Sequence, residues 1–385
     1  MKWNVSFETR CQAVDMGLLD QYHAISFPIY QTATFSRSRL GESSGFDYTR
    51  QSNPTRSQLE EIAAGLENAE EAIAFSSGMS AITAVMNLFD PGSHIIADMD
   101  LYGGSTRLFN DICKRYGLEF TIADFVNDDI SGLIRDNTVA VYAETPTNPM
   151  MRVIDIRKLA GIVKESGVKL IIDNTFLSPY LQNPLDLGAD IVVHSGTKYL
   201  GGHHDTIGGF VMLNDERTAA SLRRILTTTG AGMAPFDCFL MLRGIRTLAV
   251  RMERAEQNTH ALAKYLNESP YVTRVLYPGL TEHEGHEIMK SQARGFGAMI
   301  SFEVPSREFA ETVLNNLELI YFAESLGGTE TLMTYPITQT HAELTQEMRE
   351  RVGITDRLLR LSVGLEGVED LIAEFDRVFK LGAGL

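Results

Sequence analysis

The stretch Ala189-Asp190-Ile191-Val192-Val193-His194-Ser195-Gly196-Thr197-Lys198-Tyr199 decides how this chain is read. Its apolar run, Ile191 to Val193, has the length of a buried strand and leads straight into Ser195, Thr197 and Lys198. Upstream, a second apolar run, Val168 to Ile172, ends in Asp173. Buried strands that deliver polar groups at their carboxyl ends describe an open α/β sheet, where ligands sit at those ends. The pattern extends both ways. Strands are expected at 94–97, 139–143, 168–172, 190–193 and 207–213, with helices at 79–89, 104–116, 155–166 and 216–226. Such alternation predicts a mainly parallel sheet covered on both faces.

The residues at the strand ends suggest a chemistry. A lysine there can form a Schiff base with an aldehyde cofactor, and neighbouring hydroxyls can hold a phosphate. A carboxylate such as Asp173 suits a pyridinium nitrogen. Pyridoxal phosphate enzymes use this set. Taken singly, Lys198 also reads as a solvated loop lysine and Asp173 as a turn residue. Together, at the ends of neighbouring strands, they read as one site.

Three further features fit. Ser76-Ser77-Gly78-Met79-Ser80 precedes an apolar helix, and a small-residue turn at a helix N-terminus offers N–H groups to an anion. A plain serine cap reads equally from those residues. Arg50 is a candidate cation for the same phosphate. Tyr102, followed by Gly103 and Gly104, lies just past a strand end, where its ring can stack on a cofactor and the glycines let backbone and ligand approach, although a surface turn tyrosine reads equally from those residues. Arg360 stands amid the apolar run 358–363, where a charge needs a partner. That partner is either an amino-acid carboxylate gripped bidentately or an internal carboxylate.

Composition removes other classes. A net charge of −16 over 385 residues opposes nucleic-acid binding, which needs excess Lys and Arg. No stretch approaches the roughly eighteen apolar residues of a membrane span. Met1 to Arg10 has no apolar core, so no secretory signal is expected. Cys11, Cys113 and Cys238 are far apart and form no metal or disulfide pattern, consistent with a cytoplasmic protein. No metal is expected. His283-Glu284-Gly285-His286 misses the zinc-protease spacing, and in His203-His204-Asp205 adjacent side chains point apart. Gly230-Ala231-Gly232 lacks a preceding strand.

The organisation has three parts: an arm over 1–58, a cofactor domain over 59–250 and a smaller C-terminal α+β domain over 251–385. The arm is polar and aperiodic, and would gain order by lying on another surface, such as a second subunit. Thr55-Arg56-Ser57-Gln58 reads as a capping box opening a helix. A charged helix, Arg251 to Glu268, introduces the last domain, with strands at 272–276, 297–303 and 358–363 and helices at 285–293, 306–316 and 367–380.

Seven motifs then occur in one order. They are Tyr48-x-Arg50-x-x-Asn53-Pro54-Thr55, Ser77-Gly78-Met79-Ser80-Ala81, Tyr102-Gly103-Gly104, Glu144-Thr145-Pro146-Thr147-Asn148-Pro149, Asp173-Asn174-Thr175-Phe176, His194-Ser195-x-Thr197-Lys198-Tyr199 and Arg360-Leu361-Ser362-Val363-Gly364. Over nearly its whole length the chain thereby resembles the Cys/Met-metabolism pyridoxal phosphate family. Its members include cystathionine γ-synthase, γ-lyase and β-lyase, methionine γ-lyase and the O-acylhomoserine sulfhydrylases. The resemblance implies the type I fold, a mainly parallel seven-stranded sheet domain with a smaller α+β domain and an N-terminal arm. It further implies a homotetramer built as a dimer of dimers, with a small sulfur amino acid as substrate.

Residue by residue, the resemblance makes Lys198 the Schiff-base lysine and proton shuttle, Asp173 the partner of the ring nitrogen and Tyr102 the stacking ring. Gly78, Met79, Ser195 and Thr197 would hold the phosphate. Tyr48 and Arg50 would reach the phosphate of the neighbouring subunit. Asn148, Ser325 and Arg360 would hold the substrate carboxylate. Glu324 suggests chemistry at Cγ of cystathionine or an O-acylhomoserine, because a carboxylate there can receive a distal amino group. Gly104 departs from the cysteine typical of methionine γ-lyases. Cystathionine β-lyase is the alternative within the family. Gly196, His204 and the segment Thr334 to Gln339 depart from the family's common form.

Overall fold

A computed structural model describes residues 5–12, 22, 24–342 and 344–385. The rest of the expected arm (1–4, 13–21 and 23), with the start of the segment read as lacking a secretory signal, lies outside the described residues.

Seven strands form the larger sheet: β1 Glu71–Phe75, β2 His94–Asp98, β3 Glu119–Ala123, β4 Thr138–Glu144, β5 Lys169–Asp173, β6 Ile191–Ser195 and β7 Gly209–Leu213. Their spatial order is β1-β7-β6-β5-β4-β2-β3. The strands from β6 to β3 are mutually parallel, and β7 pairs antiparallel with β6 and β1. The central strands are apolar on both faces because helices cover both. Ile172 and Val192 enter one core, while Ile171 and Val193 enter the other, as the two-residue period of a strand requires. The carboxyl ends of β4, β5 and β6 therefore present Glu144, Asp173 and Ser195 at one edge.

The smaller sheet comprises β8 Arg274–Leu276, β9 Met299–Glu303, β10 Tyr321–Phe322, β11 Leu332–Thr334 and β12 Leu358–Ser362, in the order β10-β11-β12-β9-β8. It packs on its own core, where Phe302, Phe375 and Phe379 meet edge to face or tilted. The helix Leu248–Glu268 precedes it, three residues ahead of the expected start.

Several expectations are corrected. The first long helix is Pro54–Glu67, and its cap is Asn53, whose Oδ1 accepts the Thr55 N–H at 2.9 Å. Pro54 takes the first helical position, where its missing N–H costs nothing, so Thr55 is already helical and no capping box forms. The helix expected over 104–116 is three pieces: an α-turn Gly103–Arg107, a π-turn Leu108–Cys113 and a 3-10 turn Lys114–Tyr116. Strands β1, β3, β10 and β11, and helices Pro235–Ile245 and Gln346–Val352, had no counterpart in the sequence reading.

Candidate active site

A cavity of about 200 Å³ opens at the carboxyl ends of β4, β5 and β6. Gly78, Met79, Tyr102, Asn148, Asp173, Ser195, Thr197, Lys198, Glu324, Ser325 and Arg360 all line it. Eleven of the thirteen expected site residues thus converge from segments that span most of the chain.

Lys198 follows β6 by a tight turn, its N–H donating to the Ser195 carbonyl at 3.2 Å. Its Nζ donates to Ser325 Oγ at 2.8 Å. Burial lowers its affinity for a proton, to a pKa of about 8; Arg360 adds to the effect and Glu324 opposes it. A neutral amine is thus accessible at a position that would otherwise hold a charged one. Ser325 sits in the left-handed region at φ +93, a strained conformation for a non-glycine residue that aims its hydroxyl at Lys198.

One wall of the cavity is built by the start of the helix Gly78–Met86. Ser77 caps it, accepting the Ser80 N–H at 3.0 Å. The N–H groups of Gly78 and Met79 belong to the first turn, which the helix itself leaves without partners. A Cβ on Gly78 would lie 2.9 Å from Ser195 Cβ, so only glycine lets this turn close against the β6 end. Thr197 Oγ1 accepts the Gly208 N–H at 3.1 Å and thereby fixes the loop between them.

Asp173 is buried. Its Oδ1 accepts the Thr175 N–H at 3.0 Å and the Thr175 hydroxyl at 2.6 Å, and its Oδ2 receives only a long contact of 3.4 Å from the Tyr142 hydroxyl. Burial raises its pKa, and the Thr175 bonds oppose that rise. A cation at Oδ2 would bring it down. Tyr102 starts the next turn, where its backbone N–H donates to Glu144 Oε2 at 3.0 Å. The glycines after Tyr102 have a different purpose from the one expected. A Cβ on Gly103 would meet the Thr340 carbonyl at 2.2 Å, and one on Gly104 would meet the Tyr102 ring at 2.5 Å. They admit protein rather than ligand.

Arg360 is 1% exposed in the centre of β12. Its Nη1 donates to Asn148 Oδ1 at 2.8 Å, and its Nη2 to the Ser325 carbonyl and Thr334 Oγ1, each at 3.1 Å. All three partners are uncharged, and its buried Nε has none. The internal carboxylate weighed from the sequence is therefore not what satisfies it. The guanidinium is held in place by neutral acceptors, with one buried N–H left unpartnered.

Tyr48 and Arg50 stand apart from this cavity. Arg50 donates to the Thr227 carbonyl at 2.5 Å and lies over the Tyr48 ring, which is 44% exposed. The sequence reading also passed over contributors. Glu144 ends a buried strand just as Asp173 does, and that signal would have found it. Thr175 lies two residues past Asp173. Thr334 becomes visible only through the sheet register that sets it opposite Arg360. Among the described residues, no group of three or more His, Cys, Asp or Glu converges to hold a metal. No described helix is long and apolar enough to cross a membrane.

The residues fit pyridoxal phosphate: a depressed lysine, an aspartate with an oxygen to spare, and a glycine-dependent helix turn facing a serine hydroxyl. Residues 10–380 match the family described as Cys/Met metabolism PLP-dependent enzyme. The chain belongs to that family. It is 45% identical over 358 residues to a cystathionine gamma-lyase of Bacillus subtilis (strain 168), covering 93% of this chain and 94% of that protein. It is likewise 45% identical over 352 residues to a cystathionine beta-lyase of Lactococcus lactis subsp. cremoris (strain MG1363), covering 91% and 93%. A crystal structure of cystathionine gamma synthase from Xanthomonas oryzae pv. oryzae in complex with cystathionine superposes with a TM-score of 0.96 at 38% identity, covering 99% of this chain and 100% of that one. Fold class, cofactor and a transsulfuration activity at the level of the family follow for this chain. Equal identity to a γ-lyase and a β-lyase leaves the bond that is broken to the pocket.

Proposed function

We propose that this enzyme acts at Cγ of cystathionine or an O-acylhomoserine. The observation that carries the reading is Glu324. It lines the cavity beside Ser325, and its charge is felt by both Lys198 and Arg360. A carboxylate there suits the distal ammonium group of a long substrate. Cystathionine β-lyase chemistry is the second reading, favoured by the 45% identity to a protein so named.

When bound, pyridoxal phosphate supplies an electron sink for a carbanion at the substrate α-carbon. The roles of the chain's own residues follow from charge and reach. Arg360 holds the substrate carboxylate, and Asn148 fixes the guanidinium. Lys198, neutral above about pH 8, removes the α-proton and returns it further along the chain. Ser325 orients the Lys198 amine. Asp173 provides the negative charge that keeps the ring nitrogen protonated. Tyr102 stacks against the ring. Gly78, Met79, Ser195 and Thr197 surround the phosphate.

We further infer that Tyr48 and Arg50 serve the phosphate of a neighbouring subunit in a homotetramer. Within one chain the cationic side chains lining the cavity are Lys198 and Arg360, and neither is at the helix turn that would receive the phosphate. A cytoplasmic setting agrees with three buried free thiols. The deciding experiment is product analysis with L-cystathionine alone. Cysteine with 2-oxobutyrate means cleavage at Cγ. Homocysteine with pyruvate means cleavage at Cβ, and the Glu324 argument then fails.

A further inference from the structure

Glu144 closes β4 and has no part in the roles assigned above. It is buried, it lines the cavity, and its Oε2 accepts the Tyr102 N–H at 3.0 Å. Strands β4 and β5 are in parallel register with Glu144 beside Asp173. Neighbouring strands lie about 4.8 Å apart, so the two buried carboxyl groups start from adjacent positions on the same face of the sheet. Like charges at that spacing are not both retained; one carboxyl keeps its proton.

The partners decide which. Asp173 receives three donors, two from Thr175 and one from Tyr142. Glu144 receives the single N–H of Tyr102. Burial disfavours the Glu144 anion most, the acidic residues Asp173, Asp100 and Asp98 add to that, and Arg360 is the cation that interacts with it. The proton belongs on Glu144. An anionic Glu144 would also compete for the charge of Arg360, which lines the same cavity.

We propose that Glu144 is a positioning residue: an uncharged carboxyl that pins the Tyr102 backbone at the cavity wall, leaves Asp173 the sole anion for the ring nitrogen, and leaves Arg360 to the substrate carboxylate. This rests on the cofactor placement proposed above.

The test compares Glu144→Gln and Glu144→Leu with wild type in three readouts: pyridoxal phosphate affinity of the apoenzyme, the pH dependence of the bound cofactor's absorbance, and KM for L-cystathionine. Glutamine copies a neutral acid and still accepts the Tyr102 N–H. It leaves the absorbance transition within about 0.3 pH unit and KM within about threefold of wild type. Leucine cannot accept that N–H and weakens cofactor binding about tenfold. A wild-type protein whose bound cofactor shows no lysine-dependent absorbance would overturn the cofactor placement itself. With wild type normal, a transition moved by about one pH unit or more in Glu144→Gln means Glu144 is charged and overturns the proposal. Wild-type cofactor affinity in Glu144→Leu overturns the pinning role. If the leucine variant does not fold, the glutamine titration decides.

Discussion

Arg360→Lys isolates the geometry of the carboxylate grip from its charge. In the protein, Arg360 spends three donor contacts on Asn148, Ser325 and Thr334, and keeps Nε free in a buried position. A lysine retains the positive charge but ends in one nitrogen on a shorter reach, so it cannot meet those partners and also grip both oxygens of a carboxylate. The loss is one charge-assisted hydrogen bond, about 1.5–3 kcal/mol. At about 1.4 kcal/mol per factor of ten, that is roughly a 10- to 150-fold rise in KM. The assay is steady-state 2-oxo acid release from L-cystathionine, with cofactor affinity measured in parallel. Affinity for pyridoxal phosphate stays near wild type, because Arg360 does not face the helix turn at Gly78. A KM within about threefold of wild type would refute the assignment, since a single lost bond to a charged group exceeds that. Loss of cofactor binding with unchanged KM would place Arg360 at the wrong end of the cavity.

Four other outcomes are expected. Lys198→Ala binds pyridoxal phosphate without turnover, and measurable product from cystathionine would remove Lys198 from the mechanism. The Lys198 amine also affects stability in the apoenzyme. Its folded pKa of about 8 lies below the unfolded lysine value, so the unfolded chain binds the extra proton and stability rises with pH across that window. Below about pH 8 the buried ammonium costs about 3 kcal/mol, so apo Lys198→Met has a higher Tm than apo wild type at pH 7. The advantage vanishes by about pH 10.5; a constant difference would contradict the linkage. Asn53→Ala removes the cap of the helix Pro54–Glu67 together with bonds to the Tyr30 carbonyl and the Thr49 hydroxyl. It lowers stability by about 1–2 kcal/mol in chemical denaturation, whereas Thr55→Ala would be the damaging change if a capping box existed. Gly78→Ala forces its new Cβ towards Ser195 and weakens cofactor binding about tenfold by misplacing one phosphate donor.

Lys198 and Asp173 were legible as cavity residues because one follows and the other ends an apolar strand, and a polar residue at the end of a buried strand has few other reasons to be there. The same argument applied to Glu144, which ends the run Thr138 to Ala143 and was passed over as part of a motif. Strands β10 and β11 are two and three residues long, too short for any period, so the partnership of Thr334 with Arg360 is a product of register alone. β3 lies at the sheet edge with a half-exposed pattern, and it lacks the continuous apolar run that marks its central neighbours. Asn53 lost to Thr55 in the sequence reading because hydroxyl-x-x-amide spacing imitates a capping box, while Pro54 at the first helical position is the stronger signal. The purpose of Gly103 was invisible because the Thr340 carbonyl that needs its space is far away in the chain.

The two ends of the cavity come from different sheets. Gly78, Asp173, Ser195 and Lys198 are held by the larger sheet and its helices, while Glu324, Ser325 and Arg360 come from the smaller sheet and the loop before β11. Such a division makes reaction identity evolvable. Substitutions at Glu324, which is exposed and makes no hydrogen bond to Lys198 or Arg360, can reshape the space beyond the α-carbon while the cofactor machinery stays intact. Paralogues with one scaffold can then drift between leaving groups and chain lengths in small steps. Proteins named for γ- and β-cleavage match this chain equally well, each at 45% identity.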